Sequence, residues 1–142
     1  VVKKILVLLE RLIMQVTLWL NRNTSVNVEG STDKELFENL AKAQKHEFFQ
    51  DTKCGKCGCE DIRFQVRTVK DESNEENSFH ELVCKKCFAK LSFGHAKVGG
   101  TMYAKRLVTG AKGKAVKDEN DKGVPLPDRG WVKWNKETGK NE

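Results

Sequence analysis

Apolar and polar positions change period several times along this chain. Val1, Ile5, Leu8 and Leu12 form one apolar row with Val2, Leu6, Leu9 and Ile13 beside it, so residues 1–13 pattern as an amphipathic helix. From Met14 the period shortens to two. Met14, Val16, Leu18 and Leu20 alternate with Gln15, Thr17 and Trp19, which predicts a half-buried strand. Asn21-Arg22-Asn23 reads as a turn, and residues 25–29 as a second strand with Val26 and Val28 on one face. A capping box, Thr32-x-x-Glu35, then opens a helix whose apolar stripe is Leu36, Phe37, Leu40, Ala41 and Phe48, ending near Phe49 or Gln50. Three strands follow: 62–69, 79–83 beyond an acidic loop at 71–78, and 88–93. Residues 107–129 read as a mobile segment, closed by the aromatic island Gly130-Trp131-Val132-Lys133-Trp134.

The pattern predicts an α+β protein: an N-terminal β-hairpin and one helix, joined to three short antiparallel strands and a flexible basic C-terminal segment. The expected divisions are 1–13, 14–50, 51–106 and 107–142. The first has two readings. It is an amphipathic helix, or it is translated upstream sequence with Met14 as the natural start. The second follows because Leu-Glu-Arg-Leu-Ile can be encoded by a purine run of the kind that recruits ribosomes. Lys3, Lys4, Glu10 and Arg11 argue against a membrane span, since a charge at the bilayer centre costs about 2.5–3.5 kcal/mol. The unbroken run 5–9 is too short for a signal h-region.

The chemistry lies in the cysteines. Cys54-Gly-Lys-Cys57 and Cys84-Lys-Lys-Cys87 stand 26 residues apart, and two such turns can close a tetrahedral Zn²⁺ site. Gly55 and Gly58 suit the tight knuckle that brings two thiolates to one metal. Four cysteines fill four positions and leave none for water or substrate, so one structural Zn²⁺ is expected and no catalysis by it. Cys59 is spare, a buried thiol or a competitor of Cys57. Five cysteines without a signal peptide point to a reducing, cytoplasmic setting and to metal rather than disulfides.

Catalytic look-alikes fail on context. Cys54-x-x-Cys57 resembles a dithiol redox motif, but the second pair explains it and no βαβ pattern surrounds it. His80-Glu81-Leu82-Val83-Cys84 begins like a zinc-protease helix, yet ends in cysteine and falls in a strand. His46 is placed at a helix end near its last carbonyls, His80 on a strand surface and His95 in a loop. With no acid/base or nucleophile constellation, an enzyme is not expected.

Charge is the second signal. The chain holds 26 Lys and Arg against 20 Asp and Glu. Residues 85–142 account for the surplus with 14 basic and six acidic side chains. From Lys85 to Lys117 there are nine basic residues and no acid, a stripe that attracts phosphate through counterion release. The candidate phosphate contacts are Lys85, Lys86, Lys90, Lys97, Lys105 and Arg106, extended by Arg63 and Arg67 on the exposed strand face. Phe93, Tyr103, Trp131 and Trp134 are the candidate base-stacking rings. The competing assignment puts Phe88 and Phe93 in the ribbon's small core, docks Trp131 and Trp134 on the protein's own sheet, and leaves the lysines solvated.

Cys-Gly-x-Cys-Gly with a later Cys-x-x-Cys resembles the zinc ribbons of transcription, replication and translation proteins. More narrowly, Leu91-Ser-Phe93-Gly94-His-Ala-Lys97-Val-Gly99-Gly100, then Lys105-Arg106 and a terminal Gly-Trp-x-Lys-Trp, is similar to small zinc-ribbon proteins of bacteriophage and prophage genomes. Over about residues 14–134, that resemblance implies a single-stranded DNA partner in the cytoplasm of a bacterial host, and no reaction. Cys59 and the Met102-Tyr103 pair depart from the pattern as local variants. The expected function is therefore binding of single-stranded nucleic acid, DNA before RNA, as an accessory to replication, recombination or repair. The alternative is a module that docks on a replication, transcription or virion protein.

Overall fold

The computed structural model describes residues 13–96 and 98–142, so the predicted N-terminal helix, but for Ile13, and Lys97 lie outside the described residues. The chain divides into two units, Val1–Thr52 and Lys53–Glu142. Among the described residues, one α-helix and antiparallel strands make it α+β, as the periodicity predicts.

In the first unit, β1 (Met14–Trp19) pairs antiparallel with β2 (Ser25–Gly30), Val16 opposite Val28. The helix α1 (Asp33–Lys45) starts where the capping box places it: Thr32 Oγ1 accepts from the Glu35 backbone N–H at 3.1 Å. It ends earlier than predicted. His46 adopts an extended backbone, and its Nδ1 accepts from the Phe48 N–H at 3.2 Å, capping a separate 3₁₀ turn at Glu47–Phe49 rather than the last carbonyls of α1. The helix approaches β2 so closely that a Cβ on Gly30 would lie 2.4 Å from the Leu36 nitrogen, which explains a glycine there.

The second unit is built on a four-stranded antiparallel sheet, β3 (Ile62–Lys70), β4 (Glu76–Cys84), β5 (Lys90–His95) and β6 (Met102–Ala104), in that order. The sequence predicts only three short strands. Glu76–Ser78 extends β4 into the last three residues of the expected acidic loop, and the Gly-rich stretch returns as β6 with Ala104 opposite Phe93. His95 thereby sits in β5, its Nε2 3.2 Å from His80 Nδ1.

Register separates two faces. Ile62, Leu82, Cys84, Leu91, Phe93 and Ala104 lie on one, all buried, and form the core. Arg63, Arg67, Glu81, Lys90 and Tyr103 lie on the other.

The segment expected to be mobile is hydrogen-bonded into a ring. Val116 N–H donates to the Val108 carbonyl (2.9 Å), Val124 N–H to Val116 (3.1 Å) and Val108 N–H to Val124 (2.8 Å). The three valines are spaced eight residues apart, and each interval contains a tight turn, Gly110–Lys114 and Asp118–Lys122, with Gly113 and Asp121 at positive φ (71° and 59°). Closure comes from Leu126 N–H to the Arg106 carbonyl at 2.7 Å. The sequence hides this because the ring is made of backbone bonds, and its polar, glycine-rich composition is that of a loop.

Beyond the ring, Val132 exchanges both backbone hydrogen bonds with Lys90 (2.8 and 2.9 Å), and β7 (Trp134–Asn135) pairs with β8 (Lys140–Asn141). The C-terminal segment is thus tied to the sheet.

Candidate metal centre and the cationic sheet face

Two equivalent knuckles carry the cysteines. In the first, Gly58 N–H donates to the Cys54 carbonyl and Cys54 N–H to the Cys59 carbonyl, both at 2.9 Å. In the second, Phe88 N–H donates to Cys84 and Cys84 N–H to Ala89, again at 2.9 Å. These bonds fold each C-x-x-C back on itself, so both sulfurs of a pair point one way.

The four sulfurs of Cys54, Cys57, Cys84 and Cys87 lie within 4.8 Å of one another. Cys54 Sγ is 3.6 Å from Cys87 Sγ, and Cys57 Sγ is 3.5 Å from Cys84 Sγ. A tetrahedron of Zn–S bonds near 2.3 Å has S···S edges of roughly 3.8 Å, so the spacing fits one metal ion of that kind. Backbone N–H groups of Lys56 and Cys57 point at Cys54 Sγ (3.3 and 3.5 Å), as expected around a thiolate ligand. Burial pushes the Cys54 thiol up to about 12, with those N–H groups opposing the shift. Cys59 is outside the cluster; its Sγ takes the Asp61 N–H at 3.4 Å.

The C-terminal island locks the first knuckle. A Cβ on Gly55 would sit 2.4 Å from Trp131 Cδ1 and 2.6 Å from the Asp128 carbonyl oxygen, so only glycine lets the indole lie there. Lys56 Nζ pairs with Asp128 at 2.6 Å. Trp131 is 1% exposed, which corrects its assignment as a base-stacking ring. Phe93 is corrected likewise: it is 8% exposed and belongs to the core between β4 and β6. Docking on the protein's own fold accounts for both.

The remaining predicted contacts separate by environment. Lys85 and Lys86 are exposed on the second knuckle, and Lys105 is exposed beyond β6. Arg106 is turned inward, Nη1 donating to the Arg129 carbonyl at 2.8 Å, so it serves the fold rather than a solvent track. Tyr103 lies over Gly94, where a Cβ would be 2.8 Å from its ring. Arg63 shares the outer sheet face but leans on Asp61 at 3.3 Å.

Arg67, Lys90 and Trp134 come together. They line a cavity of about 350 Å³ with Glu81, Phe88, Ser92, Val132 and Asn141. Small-ligand pockets begin at about 300 Å³. Glu81 is 4% exposed, and one carboxylate oxygen, Oε1, accepts from Gln65 Nε2 (3.1 Å) and Arg67 Nε (3.1 Å) and pairs with Lys90 Nζ at 3.7 Å. Two cations around one anion leave a positive surplus. Arg67 also stacks on Phe79, 4.7 Å from the ring centroid. Trp134 is 58% and Phe88 65% exposed. Glu81 is a lining residue that charge counting overlooks because it is acidic, and Phe88, which the competing assignment puts in the small core, is exposed and lines the cavity instead.

Among the described residues no helix is long and apolar enough to cross a membrane. Searched against family models, curated proteins and solved structures, the chain finds no match.

Proposed function

We propose that this chain is a zinc-ribbon protein that binds single-stranded nucleic acid, with DNA the favoured strand. The observation that carries the reading is the convergence of Arg67, Lys90 and Trp134, drawn from three separate segments, on one cavity. A single-strand site needs cations for the backbone and an accessible ring for a base, and both are present there. Lys85 and Lys86 are exposed on the knuckle that also carries Phe88, and add positive charge to that part of the surface. One Zn²⁺ held by Cys54, Cys57, Cys84 and Cys87 is structural in this reading: it fixes the turn that presents Lys85, Lys86 and Phe88.

Titrating the full chain with a single-stranded oligonucleotide while following tryptophan fluorescence tests this. Quenching should saturate at low salt, and log K should fall against log salt with a slope of about −0.7 per phosphate neutralised. Absent binding at low ionic strength, or binding indifferent to salt, overturns the reading.

A further inference from the structure

We infer that the cavity beneath Trp134 is selective among bases: it accepts one unpaired nucleobase bearing an exocyclic amine or paired ring N–H donors, and rejects thymine and uracil. The inference rests on the single-strand reading above and adds to it a chemical class of base. Three observations carry it.

The first is the buried carboxylate. Both side-chain hydrogen bonds to Glu81 and the Lys90 ion pair fall on Oε1, although the residue is 4% exposed and lines the cavity. Oε2 takes none of them. A carboxylate oxygen in a largely desolvated wall accepts strongly from an N–H and repels a carbonyl oxygen. Cytosine N4, adenine N6 and guanine N1 and N2 offer donors on their Watson–Crick edges. The N3–H of thymine or uracil is flanked by two carbonyl oxygens, so the same approach sets those oxygens against the carboxylate.

The second is the backbone of Phe88. This residue holds φ at 63°, in the left-handed region that costs an L-residue roughly 1–2 kcal/mol, and its ring is left largely in water. Packing does not explain a large ring at such a position. The knuckle sets this φ, since Gly58 holds 73° at the matching position, so what the strain marks is a large ring standing where glycine would carry none. Here it puts a second ring on the wall that already carries Trp134.

The third is the balance of charge. Arg67 through Nε and Lys90 through Nζ hold to Glu81, yet 45% and 36% of their side chains stay exposed. A phosphate entering with the base therefore meets two cations already held in place. Base edge, ring face and phosphate are thus addressed by separate groups in one cavity.

The test compares oligo(dC) with oligo(dT) of about 12 nucleotides, matched in salt, against the full chain. The two strands share ring size and backbone, and differ at the base edge that meets Glu81. Oligo(dC) should bind at least about fivefold tighter, the low end of discrimination by base-edge hydrogen bonds. Glu81→Gln should abolish or reverse that ratio, because an amide can donate to the thymine carbonyl. Equal affinities in the native chain, or a preference for oligo(dT), overturn the inference whether or not the variant folds. So does a Glu81→Gln variant that weakens both strands equally while retaining its zinc. Failure to bind either strand overturns the single-strand reading itself.

Discussion

Gly58 and Phe88 occupy equivalent positions in the two knuckles, each just after the second cysteine, at φ 73° and φ 63°. Each donates its N–H to the first cysteine's carbonyl at 2.9 Å. Glycine takes this conformation without a Cβ penalty; phenylalanine does not. Phe88→Gly should therefore relieve strain of roughly 1–2 kcal/mol, offset by about 0.5–1 kcal/mol of added unfolded-state entropy. A small net gain in thermal stability is expected, together with weaker binding of single strands. Melting curves and the fluorescence titration read the two effects separately. A variant that is both less stable and equally competent would show that Phe88 is there for packing.

The metal predicts a pH dependence of definite sign. With no metal, burial holds the Cys54 thiol near 12 against an ordinary 9.0, so that sulfur keeps its proton. Binding zinc must expel it, and apparent affinity should rise with pH. Calorimetry in buffers of different ionisation heat counts the protons released, and acidification should free the metal to a chromogenic reporter. The metal-free fold has the opposite sign. A raised folded-state value favours the fold below pH 9, and that contribution disappears as pH climbs towards 12. Chelation should destabilise the ribbon sheet and weaken nucleic-acid binding together, as circular dichroism and the titration would record.

Gly55→Ala is expected to damage the metal centre without touching a ligand. Its Cβ would meet the Trp131 indole at 2.4 Å and the Asp128 carbonyl at 2.6 Å, and neither is the far end of a flexible chain. Displacing the indole should cost about 1–3 kcal/mol, the usual range for overpacking. Faster zinc loss to a chelator is the readout.

The ring formed by Val108, Val116 and Val124 predicts a pattern in hydrogen exchange. Their three amides should exchange more slowly than those of the turn residues Lys112 and Glu119 between them, since each is donated within the ring. Uniformly fast exchange across 107–126 would restore the mobile segment that composition suggests.

How much of this is legible in the sequence depends on the range of the interaction. The knuckles are readable because four cysteines at fixed local spacing leave little geometric choice. The β1–β2 hairpin and β3 are readable because one face of each is apolar at period two. The valine ring is not, although its eight-residue spacing is in plain view. Its bonds are made by backbone groups, which carry no residue code, and its turns contain the Gly, Asp and Lys of a solvated loop. Glu81 escapes for another reason. Counting charge along the chain treats an acid as a loss to a basic surface, whereas cross-strand register makes it the group on which Gln65, Arg67 and Lys90 converge.

Trp131 and Trp134, three residues apart, give the sharpest contrast. Nothing in Gly-Trp-x-Lys-Trp says which ring is buried. The left-handed turn at Asp128, Arg129 and Gly130 (φ 53°, 58° and 93°) decides it, steering Trp131 under the first knuckle. Val132 then joins the edge of β5, and Trp134 emerges at the cavity on the cationic face. Trp131→Ala should cost about 3–5 kcal/mol, the range for deleting a buried aromatic, and should loosen the zinc. Trp134→Ala should change stability by no more than about 0.5 kcal/mol and retain the metal, because its ring is largely in water. Its effect should fall on binding, where losing one stacked base costs roughly 1–3 kcal/mol. Melting, zinc content and oligonucleotide affinity measured on both variants separate the roles. A Trp134→Ala protein that binds as tightly as the native chain would remove the stacking ring from the site and leave a purely electrostatic surface.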